Sequence, residues 1–237
     1  MANIVLVHGA WHGGWCYARL ADLLRAKGHH VFAPTLSGLG ERSHQFSGAI
    51  NLSTHITDIL NLIEWERLDR VVLLGHSYGG MVISGVADRA AARISALVYL
   101  DALIPQDGQS AFDLAPPEIV KLQIEGAAAN GGFAVPPTPA LAFEVNEKDR
   151  AWVDAMCTPQ PIGCMNERIK FSGGGISAVP RKIYILAANW GSGRGFRRYY
   201  EQVKGDPGWL RFELACGHDA MIDMPEGLAA ILIANAL

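Results

Sequence analysis

The first hundred residues alternate between two hydrophobic patterns. Short, unbroken apolar runs predict strands that are buried on both faces, and apolar residues at every third or fourth position between them predict helices. Strands buried in this way and separated by helices favour a parallel sheet with right-handed crossovers, an α/β fold. The predicted strands are NIVLV, HVFAP, RVVLLG and ISALVYLD.

The predicted helices have recognisable ends and faces. The helix in WCYARLADLLRAKG is expected to end at Gly28, because glycine favours helix termination. Ser53 is predicted to cap a second helix, whose Ile56, Ile59 and Ile63 fall on one face. The small residues of YGGMVISGVADRAAAR are suited to close packing of a third helix.

The alternation stops after Asp101 and resumes near residue 181. Residues 105–180 are rich in proline, glycine and alanine, show patchy helical segments and contain no clear strand. Two further strands, KIYILAA and WLRFELA, and a helix from Pro225 follow. We therefore predict a sheet core of residues 1–104 and 181–237, with residues 105–180 inserted between two strands as a helical cap over the carboxyl edge of the sheet, where a pocket would lie.

The sequence GHSYG places Ser77 where the chain must turn sharply. An apolar strand precedes this G-x-S-x-G motif and a helix follows it, which is the context of a nucleophile elbow rather than of an ordinary glycine-rich turn. His218, in a loop after the last predicted strand, is the predicted general base. Of the other histidines, His76 flanks the serine, and the rest lie in turns or polar stretches or too close to the first strand.

The acidic partner of this base is predicted to be Asp101. It ends the strand that follows the nucleophile helix, and neighbouring parallel strands bring their carboxyl ends together. The end of the next-to-last strand offers only Asn189, whose amide cannot supply a negative charge. Asp219 adjoins His218 and is expected to point elsewhere.

An oxyanion needs two donors. The N–H of Tyr78 is one candidate, and the N–H of Ala10, in the loop after the first strand, is the other. Gly9 is expected to keep the approach of the substrate carbonyl open. The same loop lacks the residues of a P-loop and the glycine spacing of a dinucleotide site.

Three motifs, VLVHGAWHGGW, GHSYGGMV and GHDAM, resemble those of plant methyl-ester esterases and hydroxynitrile lyases of the α/β-hydrolase superfamily. TLSGLGERSH, VYLDALIPQDGQS and WVDAMCTPQP look more like bacterial carboxylesterases of that group, pyrethroid hydrolases included. The resemblance covers essentially the whole chain and implies an α/β-hydrolase fold and a cofactor-free esterase acting on small esters. It carries the nucleophile onto Ser77, the base onto His218 and the donors onto Ala10 and Tyr78. Asn189 departs from the pattern, because the plant members have their acid there.

Two other functions stay open. A cyanohydrin or other carbon–carbon lyase could use the same three residues, but the resembling lyases have a hydroxyl-bearing residue in place of Gly9 and a lysine in place of Asp219. A ligand-binding protein of this fold could retain the residues without turnover. An ester hydrolase is the function that the sequence favours.

The pocket is expected to involve Trp11 and Leu103, which lie beside the catalytic loops. Aromatic and sulfur side chains of the predicted cap are weaker candidates, because each could equally fill the small core of the cap itself. These cap residues are Phe112, Phe133, Phe143, Trp152 and Met156.

The composition of the chain limits the kinds of partner that it is expected to bind. The chain has 237 residues, a net charge of −3 and no run of basic residues, so neither a nucleic acid nor a membrane partner is indicated. Four scattered cysteines show no metal-ligand spacing. Without a recognisable secretory signal, a cytoplasmic protein is expected, with no metal or cofactor and a small-molecule ester as substrate. A homodimer is left open.

Overall fold

The structure is a computed structural model that describes residues 1–191 and 195–237. The strands are β1 (Asn3–Val7), β2 (His30–Phe32), β3 (Val71–His76), β4 (Ile94–Leu100), β5 (Ala134–Val135), β6 (Gln160–Pro161), β7 (Lys182–Ala187) and β8 (Trp209–Leu214).

The α-helices are α1 (Ala18–Ala26), α2 (Leu52–Trp65), α3 (Gly79–Ala90), α4 (Pro117–Ala129), α5 (Glu147–Met156), α6 (Ile162–Asn166), α7 (Arg197–Gln202), α8 (Ala220–Asp223) and α9 (Pro225–Asn235). Short 3₁₀ turns lie at Gly14–Tyr17, Gly40–Gln45, Ala91–Arg93, Ala140–Phe143 and Gly175–Ala178. Within the described ranges, no helix is both long and apolar enough to cross a membrane.

A six-stranded sheet in the order β2-β1-β3-β4-β7-β8 forms the centre of the protein. Every neighbouring pair in it is parallel. All of β3 and nearly all of β1 and β4 are buried, because helices cover both faces of these unbroken apolar strands. The predicted α/β fold is confirmed, and all six strands that were expected from the sequence belong to this sheet.

Helix α2 begins two residues earlier than the sequence suggests. Asn51, and not Ser53, is its N-cap, with a side chain that accepts a hydrogen bond from the Thr54 N–H at 3.0 Å. Ser53 instead lies inside the first turn, where its N–H and hydroxyl both donate to the Glu167 carboxylate at 2.7 Å. The wrong assignment has a simple cause: both residues favour caps, but Asn51 forms a reciprocal capping box with Thr54, whereas Ser53 binds Glu167.

Helices α2 and α3 approach closely, as the small residues of α3 predicted. A Cβ atom placed on Gly85 would lie 2.3 Å from Cδ1 of Ile56. The predicted end of α1 is also confirmed, since Gly28 follows the helix with a φ of +82°.

The segment between β4 and β7 contains α4, α5 and α6, as its patchy helical pattern indicated. It also contains the antiparallel pair β5–β6, which pairs Ala134 with Pro161 and Val135 with Gln160. The expectation that this segment has no strand is therefore wrong. Strands of two residues next to prolines carry too little alternation to be recognised.

The start of β7 is tied to α3 by a buried carboxylate. Asp88 accepts hydrogen bonds from the N–H groups of Ser172, Gly173 and Gly175 at 2.7–2.9 Å. These donors lower the pKa of Asp88 despite its desolvation. The carboxylate thus closes a turn that leads the chain back into the sheet.

We expect Asp88→Ala to lower the free energy of unfolding by about 2 kcal/mol at neutral pH, because three N–H groups lose their acceptor. Since the folded-state pKa of Asp88 is lowered, this stabilisation is present above the unfolded-state pKa and declines as the pH falls below it. Chemical denaturation of both proteins at neutral and acidic pH measures the difference. Asp22→Ala, at an exposed carboxylate, is the control; equal losses in the two variants would contradict the prediction.

Candidate active site

Ser77 lies at the sharp turn between β3 and α3. Its φ of +54° is in the left-handed region, which is strained for a serine. Two hydrogen bonds to the neighbouring chain segment hold it there: the Ser77 N–H donates to the Leu100 carbonyl at 3.2 Å, and the Leu103 N–H donates to the Ser77 carbonyl at 3.1 Å. The turn is therefore built jointly by the end of β3 and the residues that follow β4.

The glycines around this turn allow close backbone approach. A Cβ atom on Gly75 would lie 2.6 Å from the Gly79 carbonyl oxygen, and one on Gly79 would lie 2.7 Å from the Val7 oxygen. A Cβ atom on Gly9 would lie 2.9 Å from Cβ of Ser77. A side chain at Gly75 would clash with the start of α3, and a side chain at Gly79 or Gly9 would push the end of β1 and its loop away from the serine turn.

His218 and Asp101 form a short, buried hydrogen bond. The distance from His218 Nδ1 to Asp101 Oδ2 is 2.6 Å, and both side chains are almost completely inaccessible to solvent. Because a carboxylate only accepts, the proton is assigned to Nδ1, which leaves Nε2 of a neutral ring as a base. Asn189 is exposed, and its backbone N–H donates to the carbonyl of Cys216. Asp101, rather than Asn189, is the residue brought to the ring of His218.

The backbone fixes Asp101 as firmly as it fixes the serine. Its φ is +41°, its N–H donates to the Ile185 carbonyl at 2.7 Å, and its Oδ1 lies 3.4 Å from the N of Ala187. Burial raises the pKa of this carboxyl, since charge is poorly solvated there. A desolvated carboxylate attracts a positively charged imidazole strongly.

Aromatic rings enclose the imidazole of His218. The ring of Trp190 stacks on it with a centroid separation of 3.9 Å, and the rings of Phe143 and Phe196 lie within 5.4 Å. The Trp190 Nε1–H donates to the Ala142 carbonyl at 3.0 Å, which holds the indole in place. The sequence analysis did not single out Trp190, although a large aromatic residue just after β7 lies at the correct edge of the sheet.

The loop after β1 is held by the segment that contains β5 and β6. Trp11 has a φ of +66° and is fixed by three hydrogen bonds. Its N–H donates to Gln160 Oε1 at 3.1 Å, its Nε1–H donates to the Val135 carbonyl at 3.2 Å, and its carbonyl accepts from the Thr158 N–H at 2.9 Å. The backbone of the preceding Ala10 is positioned by these contacts.

A cavity of about 500 Å³ opens at this edge of the sheet. Ser77 and His218 line it together with Ala10 and Tyr78. Trp11, Leu103 and Phe143 also line it, as the sequence suggested for pocket residues. Most of the remaining wall is apolar and comes from Ala111, Leu114, Ala115, Pro116, Ile119, Met165, Trp190, Phe196 and Tyr199.

Several other pocket candidates lie away from this cavity. Trp152 packs edge-on against Trp15 with a centroid distance of 5.0 Å, Met156 is 38% exposed, and Phe133 stacks on Phe46. Phe112 is partly buried against the core. Gly9 does not line the cavity. It packs against Ser77, and its lack of a side chain allows the loop after β1 to approach the serine closely.

Three charged side chains of the cavity wall carried no signal in the sequence: Glu118, Glu144 and Arg198. Glu144 has a φ of +57°, and its side chain accepts from the Gly191 N–H at 3.1 Å. Arg198 donates to the Leu114 carbonyl and, at 2.7 Å, to the hydroxyl of Tyr199. Across the described parts of the chain, no cluster of three or more His, Cys, Asp or Glu side chains could hold a metal ion.

The elbow, the buried imidazole–carboxylate pair and the parallel sheet together define a hydrolase of the α/β class. Residues 4–231 match the sequence profile of the alpha/beta hydrolase family, and the chain belongs to this family.

Three similar proteins illustrate which members of the family the chain resembles. The chain is 48% identical to a carbendazim-hydrolysing esterase of Nocardioides sp. (strain SG-4G) over 99% of both chains. It is 34% identical to a chloroplastic protein described as methylesterase 11 of Arabidopsis thaliana, over 86% of this chain and 52% of that protein. An extracellular alpha/beta-hydrolase from a Paenibacillus species has the same fold, with a TM-score of 0.86 at 23% identity over 99% of each chain.

The bond between His218 and Asp101 should be visible by proton NMR as a strongly deshielded Nδ1 proton. Asp101→Asn is expected to remove this resonance, because a neutral amide gives only a weak, uncharged hydrogen bond. Asn189→Ala should leave it in place. A resonance that persists in Asp101→Asn and is lost in Asn189→Ala would contradict this assignment. It would show that the partner of His218 follows β7 and not β4.

Proposed function

We propose that this chain is a serine carboxylesterase in which Ser77, His218 and Asp101 form the catalytic triad. The proposal rests above all on one observation. His218, which forms the buried 2.6 Å hydrogen bond with Asp101, lines the same cavity as Ser77. A strained serine, an oriented imidazole and a desolvated carboxylate in one site are the requirements of acyl transfer.

The reaction proceeds in two steps. The Ser77 hydroxyl attacks the ester carbonyl while His218 Nε2 takes its proton, and the resulting imidazolium then protonates the leaving alcohol. Water repeats the sequence on the acyl-enzyme and releases the acid. Asp101 keeps the proton on Nδ1 and stabilises the imidazolium in both steps.

The N–H groups of Ala10 and Tyr78 stabilise the oxyanion. Tyr78 is the N-cap of α3, where unpaired N–H groups and the helix dipole favour negative charge. Ala10 is positioned by the contacts of Trp11 on one side and of Gly9 on the other. Two such donors contribute on the order of 3 kcal/mol each to transition-state stabilisation.

The substrate is a small ester with substantial apolar surface. A volume of about 500 Å³ and a wall of aromatic and aliphatic side chains support this size and polarity. Residues 105–180 act as the cap that closes the site, because several of them line the cavity. The esterase and methylesterase relatives support hydrolysis of esters, and carbendazim is the first compound to test.

A cyanohydrin or other carbon–carbon lyase is the rival function for the same residues. Gly9 and Asp219 disfavour it, since neither supplies the hydroxyl or the cation expected of the resembling lyases. Binding without turnover is the second rival. Cytoplasmic location, the absence of nucleic-acid and membrane partners, and a homodimer stay predictions.

Ser77→Ala should abolish hydrolysis of p-nitrophenyl acetate and labelling by a fluorophosphonate. Asp101→Asn should lower kcat by about 10⁴, because the imidazole loses its orientation and its counter-charge. Asn189→Ala is the matched control and should retain nearly full activity. Unlabelled wild-type protein without ester hydrolysis would support a binding function.

An ester panel defines the substrate class. We expect kcat/KM to rise with the apolar surface of short esters and to fall once the substrate exceeds the cavity volume. The panel should include carbendazim, and mandelonitrile serves as the lyase substrate. Release of cyanide from mandelonitrile without hydrolysis of any ester would replace the esterase assignment by the lyase.

A further inference from the structure

A second buried imidazole–carboxylate pair lies directly behind the site. His12 Nε2 is 3.1 Å from Asp219 Oδ2, and both residues are almost completely buried. Neither residue lines the cavity. Because burying a charged pair is costly, such a pair beside a proposed active site calls for a function.

The hydrogen bonds of His12 define how many protons the pair holds. On the other side of its ring, Nδ1 lies 2.8 Å from the Ala10 carbonyl oxygen, which can only accept. One proton therefore lies on Nδ1, and a second lies between Nε2 and Asp219. The pKa of His12 is raised and that of Asp219 is lowered to about 2, because each stabilises the charge of the other despite burial. His12 is thus an imidazolium paired with a carboxylate.

The position of this pair joins two loops of the site. His12 follows the loop of the Ala10 oxyanion donor, and Asp219 follows the proposed base. A further bond supports the same region, since His76 Nε2–H donates to the His218 carbonyl at 3.0 Å. The second oxygen of Asp219 lies 3.7 Å from His76 Nε2.

We propose that the ion pair of His12 and Asp219 sets the relative position of the oxyanion donor and the general base. Both are positioning residues that act through Ala10 and His218 without touching the substrate. The inference rests on the proposed esterase function for its kinetic consequences, but the protonation of His12 can be measured without it.

The charges around the pair determine in which direction each variant shifts the pH profile of kcat. The titratable groups around the pair are His8, His76, His218, Asp101, Tyr17 and the cysteines Cys16, Cys157 and Cys216. Burial lowers the pKa of His8 and His76 and raises that of Tyr17 and the thiols, so these groups are neutral at neutral pH. Among the groups just named, all of them in the described part of the chain, Asp101 and a protonated His218 are the ones that bear charge besides the pair.

Loss of His12 alone would therefore leave Asp219 as an unpaired negative charge near His218. That charge favours the imidazolium of His218, so the acid limb of the kcat profile should move to higher pH. Loss of Asp219 lets His12 become neutral, which removes both charges at once. No upward movement of the acid limb is expected in that case.

The test combines His12→Gln, Asp219→Asn and their double variant with Asp223→Asn as the control. Asp223 lies at the end of α8, the helix that Asp219 precedes, but its carboxylate accepts from Asn146. Each of the two single variants should lower kcat up to about 10²-fold with little change in KM, because the donor and the base lose their mutual position. The acid limb of the kcat profile should move to higher pH in His12→Gln and should lie at the wild-type pH again in the double variant. It should keep the wild-type position in Asp219→Asn and Asp223→Asn.

Histidine ring NMR of the wild-type protein supplies the structural measurement. Both ring nitrogens of His12 should carry protons at neutral pH, and Asp219→Asn should remove one of them. A neutral His12 in the wild type, or an identical acid limb and kcat in all variants, overturns the proposal. If the variants do not fold, the wild-type spectrum still tests whether His12 is charged, as the proposal requires. An active Ser77→Ala variant would overturn the esterase function and leave the charge of His12 unaffected.

Discussion

The geometry of the site depends on hydrogen bonds between the ends of adjacent parallel strands. Ser77 and Asp101 follow β3 and β4, and both have left-handed backbone conformations that cost energy. Each is held by a backbone bond to the next strand: Ser77 to Leu100 of β4, and Asp101 to Ile185 of β7. Three neighbouring strands therefore stabilise two strained turns, and as a result the serine lines the same cavity as the histidine that the carboxylate binds.

This arrangement explains why much of the site could be predicted from the sequence. Apolar runs identified the strands, and the position of Asp101 at the end of one of them placed it beside its partner. The parts that were missed depend on tertiary contacts. Trp190 stacks on His218 because β7 ends beside the loop of that histidine, and Ser53, a capping residue by type, binds Glu167 while Asn51 caps α2. The short ladder of β5 and β6 has no periodic signal at all.

The segment between β4 and β7 supports His218 as well as the cavity wall. The His218 N–H donates to the Phe143 carbonyl at 2.8 Å. A Cβ atom on Gly217 would lie 2.3 Å from the Glu144 carbonyl oxygen, so the two loops are in direct backbone contact. Only glycine at position 217 permits this approach. The loop that bears His218 is thus packed on both sides, against His76 and against Phe143.

The contacts of Trp11 hold one wall of the cavity in place. Gln160, Val135 and Thr158 all bind Trp11, so the ladder of β5 and β6 cannot lift away without breaking these three bonds. Releasing them would cost several kcal/mol and would free a left-handed tryptophan beside Ala10. The cavity is also lined by Glu118, Ile119 and Gln123 of α4, and none of these residues binds Trp11 through the three bonds. The wall beside Trp11 is therefore the rigid part of the cavity, to which a bound molecule must conform.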